Sequence, residues 1–154
     1  MSRPDLTGNL AATLDVVADA AGGLADDWWL IGSAAMALAG VSDLDPPDVD
    51  LLVSERDARR LIGVWGAEVA PPSSSDLFRS KIFAKAGVAP LPIEIMAGFE
   101  VRTGDGWRPV RPRTRLGIGG VFVPTTAEQV EICRLFGRPK DLARIEALEA
   151  LAWR

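Results

Sequence analysis

The sequence predicts an α+β (mixed α/β) fold, on three observations. Helical and strand-like hydrophobic periods alternate through the first half of the chain, in the order helix, strand, helix, strand, helix. Several short strands and then two helices follow in the second half. No internal repeat or linker interrupts the 154 residues, so 1–154 is expected to form a single domain around one core.

Leu10, Leu14, Val17 and Ala21 recur at i, i+4, i+7 and i+11, one stripe of a helix that Gly22-Gly23 ends. Asp26-Asp27 leads into an apolar strand, Trp28–Ile31. Gly32-Ser33 turns the chain into Ala34–Ala39, which has high helix propensity. Val41–Pro47 reads as a loop, because its two prolines cannot sit in a central strand. Asp48–Val53 is the second strand. Ser54 followed by Asp57 resembles a capping box with Asp in place of Glu, and opens a helix to about Trp65 that Gly66 stops.

Residues 71–75, Pro-Pro-Ser-Ser-Ser, read as a loop. Leu77–Ala86 alternates loosely as a strand, with Phe78, Ser80, Ile82 and Ala84 on one face and Leu77, Arg79, Lys81, Phe83 and Lys85 on the other. Leu91–Met96 is a clearer strand, with Ile93 and Ile95 toward the core and Glu94 opposite. Glu100–Val110 reads as a hairpin around Thr103-Gly104-Asp105-Gly106, and Gly120–Val123 as a further short strand. Thr125 through Gln129 is a second N-cap pattern, opening a helix to about Phe136 that Gly137 closes. Pro139 suits the first turn of a last helix, whose Leu142, Ile145, Leu148, Leu151 and Ala152 are expected inward.

Composition narrows the chemistry. There is no histidine, which removes histidine metal sites, Ser-His-Asp triads and Cys-His dyads. Acid–base or metal chemistry must therefore rest on Asp, Glu, Lys or Arg. Cys133 is the single cysteine, so no internal disulfide can form, which fits the cytoplasm. It falls on the inner side of its helix and reads as a small buried hydrophobe. The five tryptophans read as core or edge packing, Trp107 and Trp153 among them. No apolar run reaches the ~18 residues of a membrane span, and MSRPDLTGNL lacks the apolar centre of a signal peptide, so no membrane association is expected. The net charge of −4, from 17 basic and 21 acidic residues, suits nonspecific DNA binding poorly.

Asp48 and Asp50 share one face at the start of an otherwise apolar strand. Such a pair marks either a solvated strand end or a cation site, since adjacent carboxylates repel each other and hard cations such as Mg²⁺ take oxygen ligands. Glu94 interrupts an apolar strand in the same way. It either faces water or joins the pair on one sheet face, a set able to hold two metals. Gly32-Ser33 is either a tight turn or a helix start whose amides and hydroxyl attract anions. Lys140, in the first turn of the last helix, is a solvated lysine or, with Arg138, a phosphate contact; Arg79 and Lys81 on their strand offer the same alternatives.

Together, Leu30-Ile31-Gly32-Ser33, a short helix, Asp48-Val49-Asp50-Leu51-Leu52-Val53 and a distal Glu94 resemble the nucleotidyltransferase superfamily of the DNA polymerase beta-like fold. Phe136-Gly137-Arg138-Pro139-Lys140-Asp141-Leu142 is similar to the R-x-K-D-L stretch of small bacterial nucleotidyltransferase-like proteins, including the abortive-infection type. The resemblance covers residues 28–96 and 136–148. It implies a mixed central sheet flanked by helices. It also implies Mg²⁺ ligation by Asp48 and Asp50, with Glu94 holding the catalytic metal and orienting or deprotonating the attacking hydroxyl. Gly32 and Ser33 would contact the phosphates of an NTP. The reaction implied is transfer of a nucleoside monophosphate to a small-molecule, RNA or protein acceptor, with release of pyrophosphate. The chain departs from the pattern in a long spacer that ends in Pro46-Pro47, and in lacking the larger helical domain of bigger members. Two other readings follow from these departures. One is a non-catalytic nucleotide-binding or antitoxin-like regulatory protein; the other is a homodimer whose second subunit completes the acceptor site.

Overall fold

A computed structural model describes residues 1–71 and 75–152. Residues 72–74, inside the expected 71–75 loop, and Trp153 lie outside the described residues, as does the side chain of Ala152. In chain order the elements are α1 (Gly8–Ala21), β1 (Trp29–Ile31), α2 (Gly32–Ala39), β2 (Val49–Leu52), α3 (Glu55–Trp65), β3 (Glu68–Val69), β4 (Phe78–Arg79), β5 (Ile82–Ala86), β6 (Ile93–Ala97), β7 (Glu100–Thr103), β8 (Gly106–Pro109), β9 (Leu116–Ile118), β10 (Val121–Val123), α4 (Thr126–Phe136) and α5 (Pro139–Ala152).

The central sheet is mixed, in the order β1-β2-β6-β5-β3. β2 and β6 run parallel, and the other neighbours are antiparallel. One face is wholly apolar: Leu30, Val49, Leu51, Ala84, Ile93 and Ile95 pack there with Leu10, Leu14 and Val17 of α1 and with Ala58 and Leu61 of α3. Thr13 ties α1 to the sheet, its Oγ1 donating to Asn9 O and accepting from Leu91 N. The other face carries Ile31, Leu52 and Met96, which pack with Val101, Val110 and Phe136. β4, β7 and β8 form a separate three-stranded sheet beside it, and β9 and β10 a hairpin. Met36 of α2, Val130 and Cys133 of α4 and Leu148 of α5 make a third buried cluster.

The helix ends expected at Gly22, Ser54, Gly66, Thr125 and Gly137 fall there, and α1 starts at a Thr7 cap that the apolar stripe did not mark. Thr7, Ser54 and Thr125 cap α1, α3 and α4 through their side chains, and Gly66 and Gly137 end α3 and α4 in the left-handed region. The reciprocal half of the expected capping box at Ser54 does not form. Asp57 turns away and accepts from Ala25 N and Asp26 N at 2.8 and 2.9 Å, so it anchors the approach to β1 instead.

Four further expectations are corrected. The strand expected over 77–86 is two strands in different sheets, β4 pairing with β7 and β5 with β6, broken at Ser80-Lys81. Helix α2 begins at Gly32 itself, with Ile31 as its N-cap, so no turn separates it from β1. β3 and β9 lie where no strand is expected. Leu142 is 51% exposed, because Asp141 takes the inward position on the first turn of α5.

Candidate functional site

The sheet register assembles the site. Ile31 of β1 is the partner of Asp50 on β2, Asp50 of Glu94 on β6, and Glu94 of Lys85 on β5. Partners in register share a face, so these side chains form a row across the open side of the sheet. Asp48 lies just before β2, two residues from Asp50 and on the same side. Asp48, Asp50 and Glu94 each present a carboxylate oxygen within 4.8 Å of the others. Their alternating neighbours Val49, Leu51, Ile93 and Ile95 are buried in the opposite core, which prevents the strands from rotating the carboxylates away.

This arrangement is electrostatically unfavourable by itself. Burial, aided by the neighbouring Glu94 and Asp48 carboxylates, pushes the Asp50 carboxyl up to about 8. Asp48 is also raised, by burial and by Glu94. Asp50 Oδ1 is buried without a hydrogen-bond partner. The nearest compensation is modest: Lys85 Nζ stands 3.7 Å from Glu94 Oε1 and is more than half exposed. An all-oxygen donor set, an orphaned buried oxygen and crowded negative charge fit a hard divalent cation, whose charge would offset the repulsion.

Gly32 is shaped by the same site. Its φ is +74°, and a Cβ there would lie 2.9 Å from Asp50 Oδ2. Any other residue would be strained and would press on the carboxylate. Gly32 and Ser33 open α2 at the rim of a cavity of about 580 Å³ that also contains the three carboxylates. Lys81, Lys140 and Arg144 line the same cavity. Lys81 lies across Gly98, where a Cβ would meet its side chain at 2.7 Å. Lys140 is exposed, and its charge acts to lower Asp48.

Two of the basic residues at the cavity are engaged within the fold. Arg79 Nε donates to Glu100 Oε1 at 2.8 Å, and its guanidinium sits 4.4 Å from the Trp107 ring centroid. Arg138 donates to both oxygens of the buried Asp141 carboxylate, at 2.6 and 3.0 Å, and lies over the Phe78 ring. Phe78, Phe99 and Phe136 form an aromatic cluster on the cavity wall, with Phe136 edge-on to the other two rings and Phe78 tilted 33° to Phe99.

Sequence reasoning did not single out Lys85, Arg144 or Gln129. Arg144 had a readable signal, since it follows Lys140 by four residues and so shares its helix face. Lys85 required the β5–β6 register. Gln129 carries no local signal beyond its place in the first turn after the Thr125 cap. It is nearly buried, and Nε2 donates to Pro124 O at 3.0 Å.

This mixed sheet, with α2 springing directly from β1 and flanking helices on both sides, is a nucleotidyltransferase-like fold. The crystal structure of a putative nucleotidyltransferase from Thermotoga maritima superposes on it with a TM-score of 0.65, over 92% of this chain and 89% of that one, at 22% sequence identity. The likeness at that identity is one of fold. No protein-family model matches the chain, and no curated protein matches it. Among the described residues no helix is long and apolar enough to cross a membrane.

Proposed function

We propose that this protein is a divalent-cation-dependent nucleotidyltransferase that moves a nucleoside monophosphate from an NTP to an acceptor hydroxyl and releases pyrophosphate. The observation that carries the reading is the convergence of Asp48, Asp50 and Glu94 in one cavity with the Gly32-Ser33 helix start. Asp48 and Asp50 would hold the cation, Mg²⁺ being the natural choice for an oxygen set that leaves room for phosphates. Glu94 completes the set and orients the acceptor hydroxyl, receiving its proton as the new ester bond forms. When bound, the cation supplies neutralisation of the triphosphate and of the developing charge on the leaving pyrophosphate. The amides of Gly32 and Ser33 and the Ser33 hydroxyl receive phosphate oxygens at the start of α2. Lys140, with Lys81 and Arg144, meets the outer phosphates; Arg79, already paired with Glu100, shapes the wall there.

Incubation with each α-labelled NTP, Mg²⁺ and candidate small-molecule, RNA and protein acceptors tests the proposal. Label transfer to an acceptor, abolished by Asp50→Asn, is the expected result. Transfer that Asp50→Asn leaves unchanged would place the chemistry elsewhere. Mg²⁺-dependent NTP binding with no transfer to any acceptor would favour a regulatory nucleotide-binding protein on the same fold.

A further inference from the structure

Positive charge is concentrated in one segment of an acidic chain. The net charge is −4, yet residues 102–115 carry five arginines against a single acid, Asp105. Arg102, Arg108 and Arg111 are exposed, and among the described residues no acid lies within ion-pair distance of them. Arg108, Arg111 and Arg113 line a groove of about 480 Å³, and α4 adds Arg134 and Glu131 to its lining. The acids at the groove are already engaged. Glu128 accepts the amides of Arg113 and Thr114, and Glu131 pairs with Arg113 at 3.0 Å. Arg134 pairs with Glu149 at 2.7 Å. These two ion pairs are exposed at both ends, so they contribute little and give way to a competing phosphate.

The groove adjoins the cavity that contains the carboxylates. Ile132 lines both. A neighbouring depression shares Arg108, Pro109, Arg134 and Leu135 with the groove and extends it to Trp107. Arg79, on the cavity lining, sits over the Trp107 ring. Basic lining thus runs from the groove to the cavity by way of β8. Guanidinium groups take phosphate oxygens as a rigid fork, and guanidinium and indole planes both stack bases. Spaced arginines that lead to Arg79 and Trp107 therefore suit a single nucleic-acid strand. An acidic peptide would satisfy the arginines and leave the flat surface unused. We infer that the groove binds the backbone of a single nucleic-acid strand whose terminal hydroxyl is the acceptor of the transfer. The inference rests on the nucleotidyltransferase reading and names its acceptor class. In the step, the terminal hydroxyl oxygen bonds to the α-phosphorus of the NTP, and the α–β phosphoanhydride bond breaks to release pyrophosphate. The hydroxyl proton passes to Glu94. The acidic remainder of the chain disfavours strand binding elsewhere, so affinity depends on this strip.

The test pairs fluorescence anisotropy with label transfer, using short single-stranded RNA and DNA. It compares the wild type with the double variant Arg108→Gln, Arg111→Gln and with Arg59→Gln, Arg60→Gln, an equal charge change on exposed positions of α3. The wild type should bind a strand and, in Mg²⁺, move label from an α-labelled NTP to its terminal hydroxyl. The strand that accepts label distinguishes RNA from DNA. Arg108→Gln, Arg111→Gln should weaken strand binding about tenfold or more and flatten the dependence of log K on log salt by about 1. It should raise KM for the strand by a similar factor and leave calorimetric NTP binding unchanged. The α3 variant should match the wild type. Absence of strand binding by the wild type, binding without transfer, or binding that the groove variant preserves would overturn the inference. So would equal loss in both variants, or a polyglutamate peptide that displaces the strand as well as unlabelled strand does. In each of those cases Mg²⁺-dependent NTP binding leaves the nucleotide site standing. Absence of NTP binding would overturn the nucleotidyltransferase reading itself, and the acceptor assignment with it.

Discussion

Asp50 is held in place by covalent geometry and opposed by electrostatics. β2 fixes its direction, because Val49 and Leu51 on either side are fully buried in the opposite core. Its carboxyl is pushed up to about 8 by burial and by Glu94 and Asp48. An acid with a folded pKa near 8 and an unfolded pKa near 4 makes the folded state the better proton binder in between. Folding stability from this group is therefore present at low pH and is lost as pH rises through that window. Without divalent cation, Asp50→Asn should melt at nearly the wild-type temperature at pH 5 and several degrees above it at pH 8. Saturating Mg²⁺ should close that gap by stabilising only the wild type; thermal melts at the two pH values, with and without Mg²⁺, check both statements. The Asp48–Asp50 pair could be read in the sequence, since two residues apart on a strand is one face. Lys85 could not, since its place beside Glu94 depends on strand pairing and not on its own neighbours.

At the level of elements, two buried carboxylates join helices to loops distant in sequence. Asp57 of α3 accepts the amides of Ala25 and Asp26, and Glu128 of α4 accepts those of Arg113 and Thr114 at 2.8 Å each. The segment that Glu128 holds also pins the start of β1: Thr114 O accepts from Trp29 Nε1, and Arg115 Nε donates to Trp28 O. Burial works against ionisation of Glu128, but the Arg113 amide and the Thr114 hydroxyl and amide more than offset it and hold the carboxyl below its usual range. Glu128→Gln replaces one accepting oxygen with a donor facing backbone N–H groups. It should cost about 1–3 kcal/mol at neutral pH. Urea denaturation should show a lower midpoint with an unchanged m-value, and the difference from wild type should shrink as pH falls and the native carboxylate protonates. Both acids sit three residues after a Ser or Thr cap, and that spacing marks the helix starts correctly. Their partners are loops distant in sequence, so their second task was not legible locally. β3 carries no strand signal because it is two residues long and exposed, and β9 none because Gly117 stands at its centre. The 77–86 segment looks like one strand in the sequence because alternation continues unbroken through the point where the chain changes sheets.

Across the whole molecule, α5 closes the site. Leu148 is fully buried against Met36, Val130 and Cys133, and this cluster holds the helix that brings Lys140 and Arg144 to the cavity. Leu148→Ala leaves a cavity where α2, α4 and α5 meet and should cost about 2–5 kcal/mol, read as a lower denaturation midpoint. The exposed Leu142, taken from periodicity as an inward residue, should tolerate Ala in the same measurement. The sequence by itself determined the starts of α3 and α4 and the ends of α1, α3 and α4, the burial of one sheet face and the direction of Asp48 and Asp50. Each of these depends on residues within a turn or two of one another. Only the tertiary structure decided that Glu94 stands beside Asp50, that Lys85 stands beside Glu94, that Arg79 is already paired, and that Gln129 shares the cavity. Those facts depend on strand register and helix packing between distant segments, and no local period of apolar residues encodes which strand lies next to which.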